Sequence, residues 1–141
     1  MKILMVDDEA TVTSFLSDVA KLKGLTDIDV AASGEEALQM VVQNTYDLIT
    51  LDIRMPGLSG LEILALLRNM CPHAIIAIIS GHIPQDISKE TAGCVDVLIS
   101  KPATLDTLHC LLDNAIRIHD AMSEIRSLDV ASVTGDVSAT F

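Results

Sequence analysis

Short apolar runs alternate along the chain with longer stretches in which apolar residues recur at helical spacing. The runs are long enough for strands and too short for helices. Several are apolar throughout, as expected of parallel strands that helices cover on both faces, although Asp29, Thr50 and Asp96 interrupt the others. We therefore predict an α/β fold with five strands, at Ile3–Val6, Ile28–Ala32, Leu48–Leu51, Ala74–Ile79 and Val95–Ile99.

Helix signals occupy the segments between these runs. The first helix is predicted to stop at Gly24, and the second to begin near Ser33, a residue type that caps helix N-termini well. A third helix is expected to follow Gly60 and to end before Pro72. The fourth connection, residues 84–93, is short and polar, so its helix should be the least stable.

The last helix is predicted to begin at Thr104 and to be long for a single domain. Two apolar rows in it repeat every seven residues, as in a coiled-coil seam: Leu108, Ala115 and Met122, and Leu111, Ile118 and Ile125. Two interpretations stay open. Either the outer end of the helix packs against another chain as a homodimer, or its first half covers the sheet and its second half frays.

Length and composition favour a single domain. The 141 residues are predicted to form one domain over residues 1–120, followed by a helical extension and a flexible tail or linker over residues 121–141, with the tail beginning near Ser127. No apolar run approaches a membrane span, so we expect a soluble, cytoplasmic protein. The three scattered cysteines are predicted to be small buried side chains. The net charge of −11 argues against direct binding to nucleic acid or to a membrane surface.

Polar residues stand where the predicted strands end. Asp7 and Asp8 follow the first strand, Asp52 the third, Ser80 the fourth and Lys101 the fifth. The carboxyl ends of parallel strands share one edge of a sheet, and ligands bind there. One Asp after a strand is usually only a turn or a cap. The coincidence of five such positions instead predicts a site.

Clustered carboxylates repel one another unless a cation lies between them. A hard divalent ion such as Mg²⁺ prefers carboxylate and carbonyl oxygens, and Lys101 adds a further positive charge. Phosphoryl transfer depends mostly on positioning and on neutralising the phosphoryl oxygens. Asp52 is then the candidate nucleophile of such a reaction.

Four spaced blocks resemble the receiver domains of two-component response regulators: ILMVDDE, DLITLDIRMPGLSGLEIL, IIAIISGH and VDVLISKP. The resemblance covers roughly residues 1–119. It implies a flavodoxin-like, doubly wound parallel sheet in the order 2-1-3-4-5, with helices on both faces and an extended C-terminal helix. It also implies a cis peptide bond before Pro102.

The resemblance also implies roles for individual residues. Asp52 would accept the phosphoryl group, while the Asp7, Asp8 and Asp52 carboxylates and the backbone carbonyl of Arg54 would hold Mg²⁺. Ser80 and Lys101 would each contact a phosphoryl oxygen. The implied partner is a sensor histidine kinase or a phosphotransfer protein, and an effector domain is expected beyond this sequence.

One position departs from the family pattern. Receiver domains commonly carry Tyr or Phe three residues before the lysine, where this chain has Leu98. That aromatic side chain normally turns inward when the hydroxyl residue moves toward the phosphoryl group. The coupling of phosphorylation to the surface around the fourth helix is therefore in question.

Three other classes compete with this interpretation. An aspartyl phosphatase of the haloacid-dehalogenase type needs a general acid two residues after the nucleophile, where Arg54 cannot serve. A flavodoxin-like nucleotide binder needs a phosphate loop after the first strand, where Asp7, Asp8 and Glu9 would repel phosphate. A receiver fold used only for constitutive docking would not need these acids and Lys101.

Overall fold

The computed structural model of the chain describes residues 1–134, and side chains as far as residue 128. Five strands and five helices alternate in it. In chain order they are β1 (Ile3–Val6), α1 (Ala10–Leu22), β2 (Ile28–Ala31), α2 (Gly34–Gln43), β3 (Leu48–Leu51), α3 (Gly60–Met70), β4 (Ile75–Ser80), α4 (Lys89–Gly93), β5 (Val97–Ser100) and α5 (Leu105–Thr134).

All strands are parallel and form one sheet in the order β2-β1-β3-β4-β5, which confirms the predicted fold class. Alternate residues of each strand point to opposite faces. Ile3 and Met5 of β1 pack with α1 and α5, while Leu4 and Val6 pack with α2 and α3. This burial on both faces explains why β1 is a continuous apolar run.

The strand limits differ slightly from the predicted ones. Ala74 belongs to the turn after α3, where its N–H donates to the Cys71 carbonyl, so β4 begins at Ile75. Val95 donates to Ala92 in the turn after α4, so β5 begins at Val97. In both cases the first backbone N–H of the apolar run donates within a local turn and not to the neighbouring strand.

The helix ends agree well with the sequence signals. Ser33 caps α2 by accepting from Glu36, and Ser59 and Glu62 form a reciprocal capping box at the start of α3. Thr104 caps α5, since its Oγ1 accepts from Thr107. The residues of α4 are all exposed or half-buried, as expected of the least stable helix.

The last helix is longer than the loss of periodicity after Ser127 indicated, because α5 continues to Thr134. Continuing a formed helix adds one hydrogen bond per residue, so weak helix signals suffice there. The helix crosses residue 120 without a break, and the proposed division at that residue stays a prediction. The tail predicted for residues 135–141 lies outside the described residues.

The prediction that all three cysteines are buried is wrong. Cys71 is buried and Cys94 is half-buried, but Cys110 of α5 is exposed. Within residues 1–134, every helix is too short or too polar to cross a membrane.

Candidate functional site

The sheet brings the predicted site residues to one edge. Asp7 directly follows β1, Asp52 directly follows β3, Ser80 ends β4 and Lys101 directly follows β5. The buried members are Asp7, Asp52 and Ser80, whose exposed fractions are 5%, 4% and 0%. Buried polar side chains of this kind need partners: Lys101 bonds to both acids, and the backbone N–H of His82 bonds to Ser80.

Asp52 is fixed on both of its carboxylate oxygens. Its backbone N–H donates to the Val6 carbonyl at 2.9 Å, which continues the pairing of β3 with β1. Its Oδ1 accepts from the backbone N–H of Arg54 at 3.2 Å, and its Oδ2 accepts from Lys101 Nζ at 3.1 Å. The carboxylate therefore has a defined orientation before any ligand arrives.

Lys101 joins three carboxylates through one ammonium group. Its Nζ lies 2.8 Å from Asp7 Oδ2, 3.1 Å from Asp52 Oδ2 and 3.3 Å from Glu9 Oε1. Its backbone N–H donates to the Ser80 carbonyl at 2.9 Å, which ties the end of β5 to the end of β4. The Lys101–Pro102 peptide bond is cis, as the resemblance implied.

Glu9 is a site residue that the sequence did not single out. It offers a carboxylate to the same cluster as Asp7, Asp8 and Asp52, in which one oxygen of each residue lies within 4.8 Å of the others. Its backbone N–H also donates to Asp7 Oδ1 at 2.9 Å. The only sequence signal was its position directly after Asp7 and Asp8.

The cluster carries an excess of negative charge. Four carboxylates and one ammonium give a formal charge of −3 when all are ionised. Burial raises the pKa of the Asp7 carboxyl above its ordinary value, although hydrogen bonds from Lys101 and Glu9 oppose that effect. Burial would lower the pKa of Lys101, but its hydrogen bonds to Asp7 and Asp52 outweigh burial and raise it. Lys101 thus stays charged, and the pocket still lacks positive charge.

The donor set fits a hard divalent cation. All the available groups are carboxylates, and each of the four residues offers one oxygen. Asp7 and Asp52 are buried, whereas Asp8 and Glu9 are exposed. The Arg54 backbone contributes its N–H to Asp52, and its side chain is exposed. Metal coordination by the Arg54 carbonyl stays a prediction.

Ser80 lies at the end of the neighbouring strand β4 and is buried. Its Oγ accepts the backbone N–H of His82 at 3.2 Å. His82 itself is exposed. It follows the end of β4 by two residues and so lies beside the pocket.

The loop between β3 and α3 approaches the site closely. A Cβ added at Gly60 would collide with the backbone carbonyl of Asp52, so only glycine fits there. Glu35 of α2 holds the loop from the other side, where its Oε1 accepts from the Leu58 N–H at 3.3 Å. The loop is therefore held tightly beside Asp52.

Leu98 lies on the edge strand β5 with 45% of its surface exposed. It lines the surface between β5 and its neighbouring helices α4 and α5. The side chain that replaces the usual aromatic residue therefore lies partly exposed on the edge strand, where Leu98 is paired with Ile78, two residues before Ser80.

Comparisons with known proteins agree with this geometry. A family model described as the response regulator receiver domain matches residues 3–113. The DNA-binding transcriptional regulator NtrC of Klebsiella pneumoniae is 30% identical over 94% of this chain and 28% of its own length. The transcriptional regulatory protein YvrH of Bacillus subtilis is 36% identical over 71% of this chain and 42% of its own length. The chain thus spans less than half the length of these relatives.

Solved structures show the same fold. The response regulator TrrA of Thermotoga maritima, in complex with Mg²⁺ and BeF, has a TM-score of 0.71 and 34% identity, and the match covers 82% of this chain and 99% of that one. A receiver domain from Clostridium thermocellum has a TM-score of 0.73 and 28% identity over 86% of this chain and 98% of that one. The chain therefore belongs to the response regulator receiver domain family, the phosphorylation-dependent signalling switches of two-component systems.

Proposed function

We propose that this chain accepts a phosphoryl group on Asp52 from the phosphohistidine of a sensor histidine kinase or a phosphotransfer protein. The observation that carries the proposal is the shared ammonium of Lys101, which lies within 3.1 Å of both Asp7 and Asp52. Residues from three strands thus meet at one buried carboxylate, and Lys101 supplies it with a positive charge that suits an anionic substrate.

In the proposed reaction, a carboxylate oxygen of Asp52 attacks phosphorus and forms a new P–O bond. The P–N bond of the phosphohistidine breaks, and the imidazole leaves with the electron pair and takes up a proton from solvent. The Arg54 N–H and the Lys101 ammonium hold the two carboxylate oxygens in place before attack. Such prior orientation removes much of the entropic barrier.

Mg²⁺ would be held by the carboxylates of Asp7, Asp8 and Asp52 and by the Arg54 carbonyl, with Glu9 as a further oxygen donor in the cluster. When bound, the ion neutralises charge on the phosphoryl oxygens and on the surrounding acids. The oxygen-only donor set and its excess negative charge support this assignment. TrrA, a relative at 34% identity, was solved in complex with Mg²⁺ and BeF.

Ser80 and Lys101 would bind the phosphoryl oxygens after transfer. The hydrogen bond from His82 uses Ser80 Oγ as an acceptor, which leaves the hydroxyl hydrogen to be donated to a phosphoryl oxygen. Lys101 would exchange its contact with Asp52 for one with the new phosphoryl group. Phosphorylation adds charge and acceptor oxygens, which suffices to shift a balanced pair of conformations.

The signal would leave through the surface formed by α4, β5 and α5. On this surface α4 has no buried residue and Leu98 of β5 is exposed. An effector domain beyond this sequence is also proposed, because the matches to NtrC and YvrH span only 28% and 42% of those regulators.

The direct test is incubation with acetyl phosphate and Mg²⁺ followed by intact-mass measurement. We expect a mass increase of one phosphoryl group in the wild type and none in Asp52→Asn. Asp47→Asn is the matched control, since Asp47 lies just before β3, at the opposite end of this strand from Asp52. Equal phosphorylation of the Asp52→Asn variant would contradict the proposal.

A further inference from the structure

The loop between β3 and α3 carries two backbone groups of the candidate site. The Arg54 N–H donates to Asp52 Oδ1 at 3.2 Å, and the Arg54 carbonyl is a proposed ligand of Mg²⁺. The loop is neither helix nor strand, so contacts with neighbouring elements set its conformation. At its base, the Gly60 N–H donates to the Ile53 carbonyl at 2.9 Å. Its outer part, residues 56–58, is attached elsewhere, at the start of α2.

The start of α2 lies against the outer part of this loop. A Cβ added to Gly34 would lie 2.8 Å from the Leu58 carbonyl oxygen, so the two backbones are in close contact. Gly57 has a φ of +79°, and a Cβ added to it would lie 2.9 Å from Glu35 Oε1. Two glycines, one on each side of the junction, thus let the helix and the loop approach each other.

Glu35 makes a polar contact across this junction. Its Oε1 accepts the Leu58 backbone N–H at 3.3 Å, a bond between residues 23 positions apart in the chain. Both residues are exposed, so water competes for the bond, and the bond contributes little to the free energy of unfolding. Its effect is local, because it favours one position of a loop that has no regular structure of its own.

The adjacent Glu36 has a different role. Its Oε2 accepts the Ala32 N–H at 3.1 Å, and its own N–H donates to Ser33 Oγ at 3.1 Å. Both bonds lie within the turn that begins α2. Two neighbouring glutamates of one helix therefore act separately: Glu36 closes the turn into α2, and Glu35 holds the loop beside Asp52.

We propose that Glu35 is a positioning residue for the phosphorylation of Asp52. By accepting from Leu58, it holds the loop in the conformation in which the Arg54 N–H orients the Asp52 carboxylate and the Arg54 carbonyl is available to Mg²⁺. Glu35 acts through the loop and not by contact with the phosphoryl group. This role rests on the proposed phosphorylation and adds to it a residue of α2, an element that contributes no group to the carboxylate cluster.

The contact needs an acceptor oxygen and not a negative charge. Four carboxylates and one ammonium already give the pocket a formal charge of −3 when all are ionised, so a further carboxylate nearby does not help an anionic phosphoryl donor to approach. Glutamine offers a carbonyl oxygen at the same place, whereas alanine offers none. Glu35→Gln should therefore behave as the wild type, and Glu35→Ala should not.

Amide hydrogen exchange in EDTA tests the role without metal or phosphoryl donor. We expect Glu35→Ala to speed exchange by about threefold or more at Leu58, which loses its acceptor, and also at Arg54, whose bond to Asp52 depends on the loop. Glu35→Gln and the matched control Glu36→Ala should leave exchange at Arg54 at the wild-type rate. Faster exchange at Leu58 alone would overturn the proposal, because it would show that the contact does not control the loop.

Initial rates with acetyl phosphate over a range of Mg²⁺ concentrations test the same role during the reaction. Glu35→Ala should need about threefold or more Mg²⁺ for its half-maximal rate, whereas Glu35→Gln and Glu36→Ala should match the wild type. An unchanged Mg²⁺ dependence in Glu35→Ala, or a Glu35→Gln variant as impaired as Glu35→Ala, would contradict the role of Glu35. A wild type that is not phosphorylated on Asp52 would instead contradict the proposed function, and the exchange rates would still decide on Glu35.

Discussion

The ammonium nitrogen of Lys101 lies 3.1 Å from Oδ2 of Asp52, although the two residues are 49 positions apart in the chain. The same nitrogen lies 2.8 Å from Asp7 Oδ2. One positive charge therefore holds together two buried acids from neighbouring strands, and the reactivity proposed for Asp52 depends on it.

Removal of this charge should slow phosphorylation without removing the acceptor. We expect Lys101→Met to reduce the initial rate with acetyl phosphate and Mg²⁺ by roughly a hundredfold. Losing one positioned donor that stabilises charge in a transition state has an effect of this size. Phosphorylation rates followed by mass spectrometry measure this. Lys89→Met, an exposed lysine on α4, is the control and should react at the wild-type rate.

Asp7→Asn should raise the stability of the metal-free protein and weaken its binding of Mg²⁺. Because burial raises the pKa of Asp7, its charged form is disfavoured in the folded protein, and the neutral amide should raise the melting temperature in EDTA. The same change replaces a charged carboxylate ligand with a neutral amide and should weaken Mg²⁺ binding by about tenfold or more. Thermal denaturation and Mg²⁺ titration measure the two effects, and a destabilised metal-free variant would count against this account of the pocket.

Gly60→Ala should disturb both stability and chemistry, since a Cβ there meets the Asp52 carbonyl and lies 2.9 Å from the Ile53 Cα. The collision is with backbone, which cannot move aside easily. We expect a loss of about 1–3 kcal/mol in the free energy of unfolding together with slower phosphorylation. Gly81→Ala is the control, because a Cβ at Gly81 has open space. Urea denaturation and the acetyl phosphate assay check the two parts.

Tyr46 should make stability depend on alkaline pH. Burial and the 2.7 Å hydrogen bond that Tyr46 donates to Asp29 raise its pKa in the folded protein. The folded state therefore keeps a proton that the unfolded state begins to lose near pH 10, so this contribution is complete below that pH and declines above it. Tyr46→Phe should lower stability at pH 8 by about 1 kcal/mol. Urea denaturation at pH 8 and above pH 10 should show a smaller alkaline loss for the variant than for the wild type.

Much of the fold and most of the site could be predicted because the buried strands are largely apolar, and polar residues follow the apolar runs of β1, β3, β4 and β5. Asp7, Asp52, Ser80 and Lys101 could be placed at one edge on that basis alone. Glu9 was missed because its role comes from the reach of its side chain toward Lys101, which no strand pattern encodes.

The outer part of α5 shows a second limit of sequence patterns. Two heptad rows, one through Leu108 and one through Ile118, looked equivalent in the sequence. The structure buries Leu108 against the sheet and leaves half of Ile118 exposed, so only the second row is free for a partner. Cys110 was misplaced for the same reason, since which side of a long helix faces the sheet follows from tertiary packing.

The most direct test of the central claim is chemical localisation of the phosphoryl group. After reaction with acetyl phosphate and Mg²⁺, borohydride reduces an aspartyl phosphate to homoserine, which peptide mass mapping can locate among the 20 acidic residues. The account predicts homoserine at position 52 alone, and its loss in Lys101→Met at matched reaction times. Homoserine at another aspartate, with residue 52 unmodified, would contradict it.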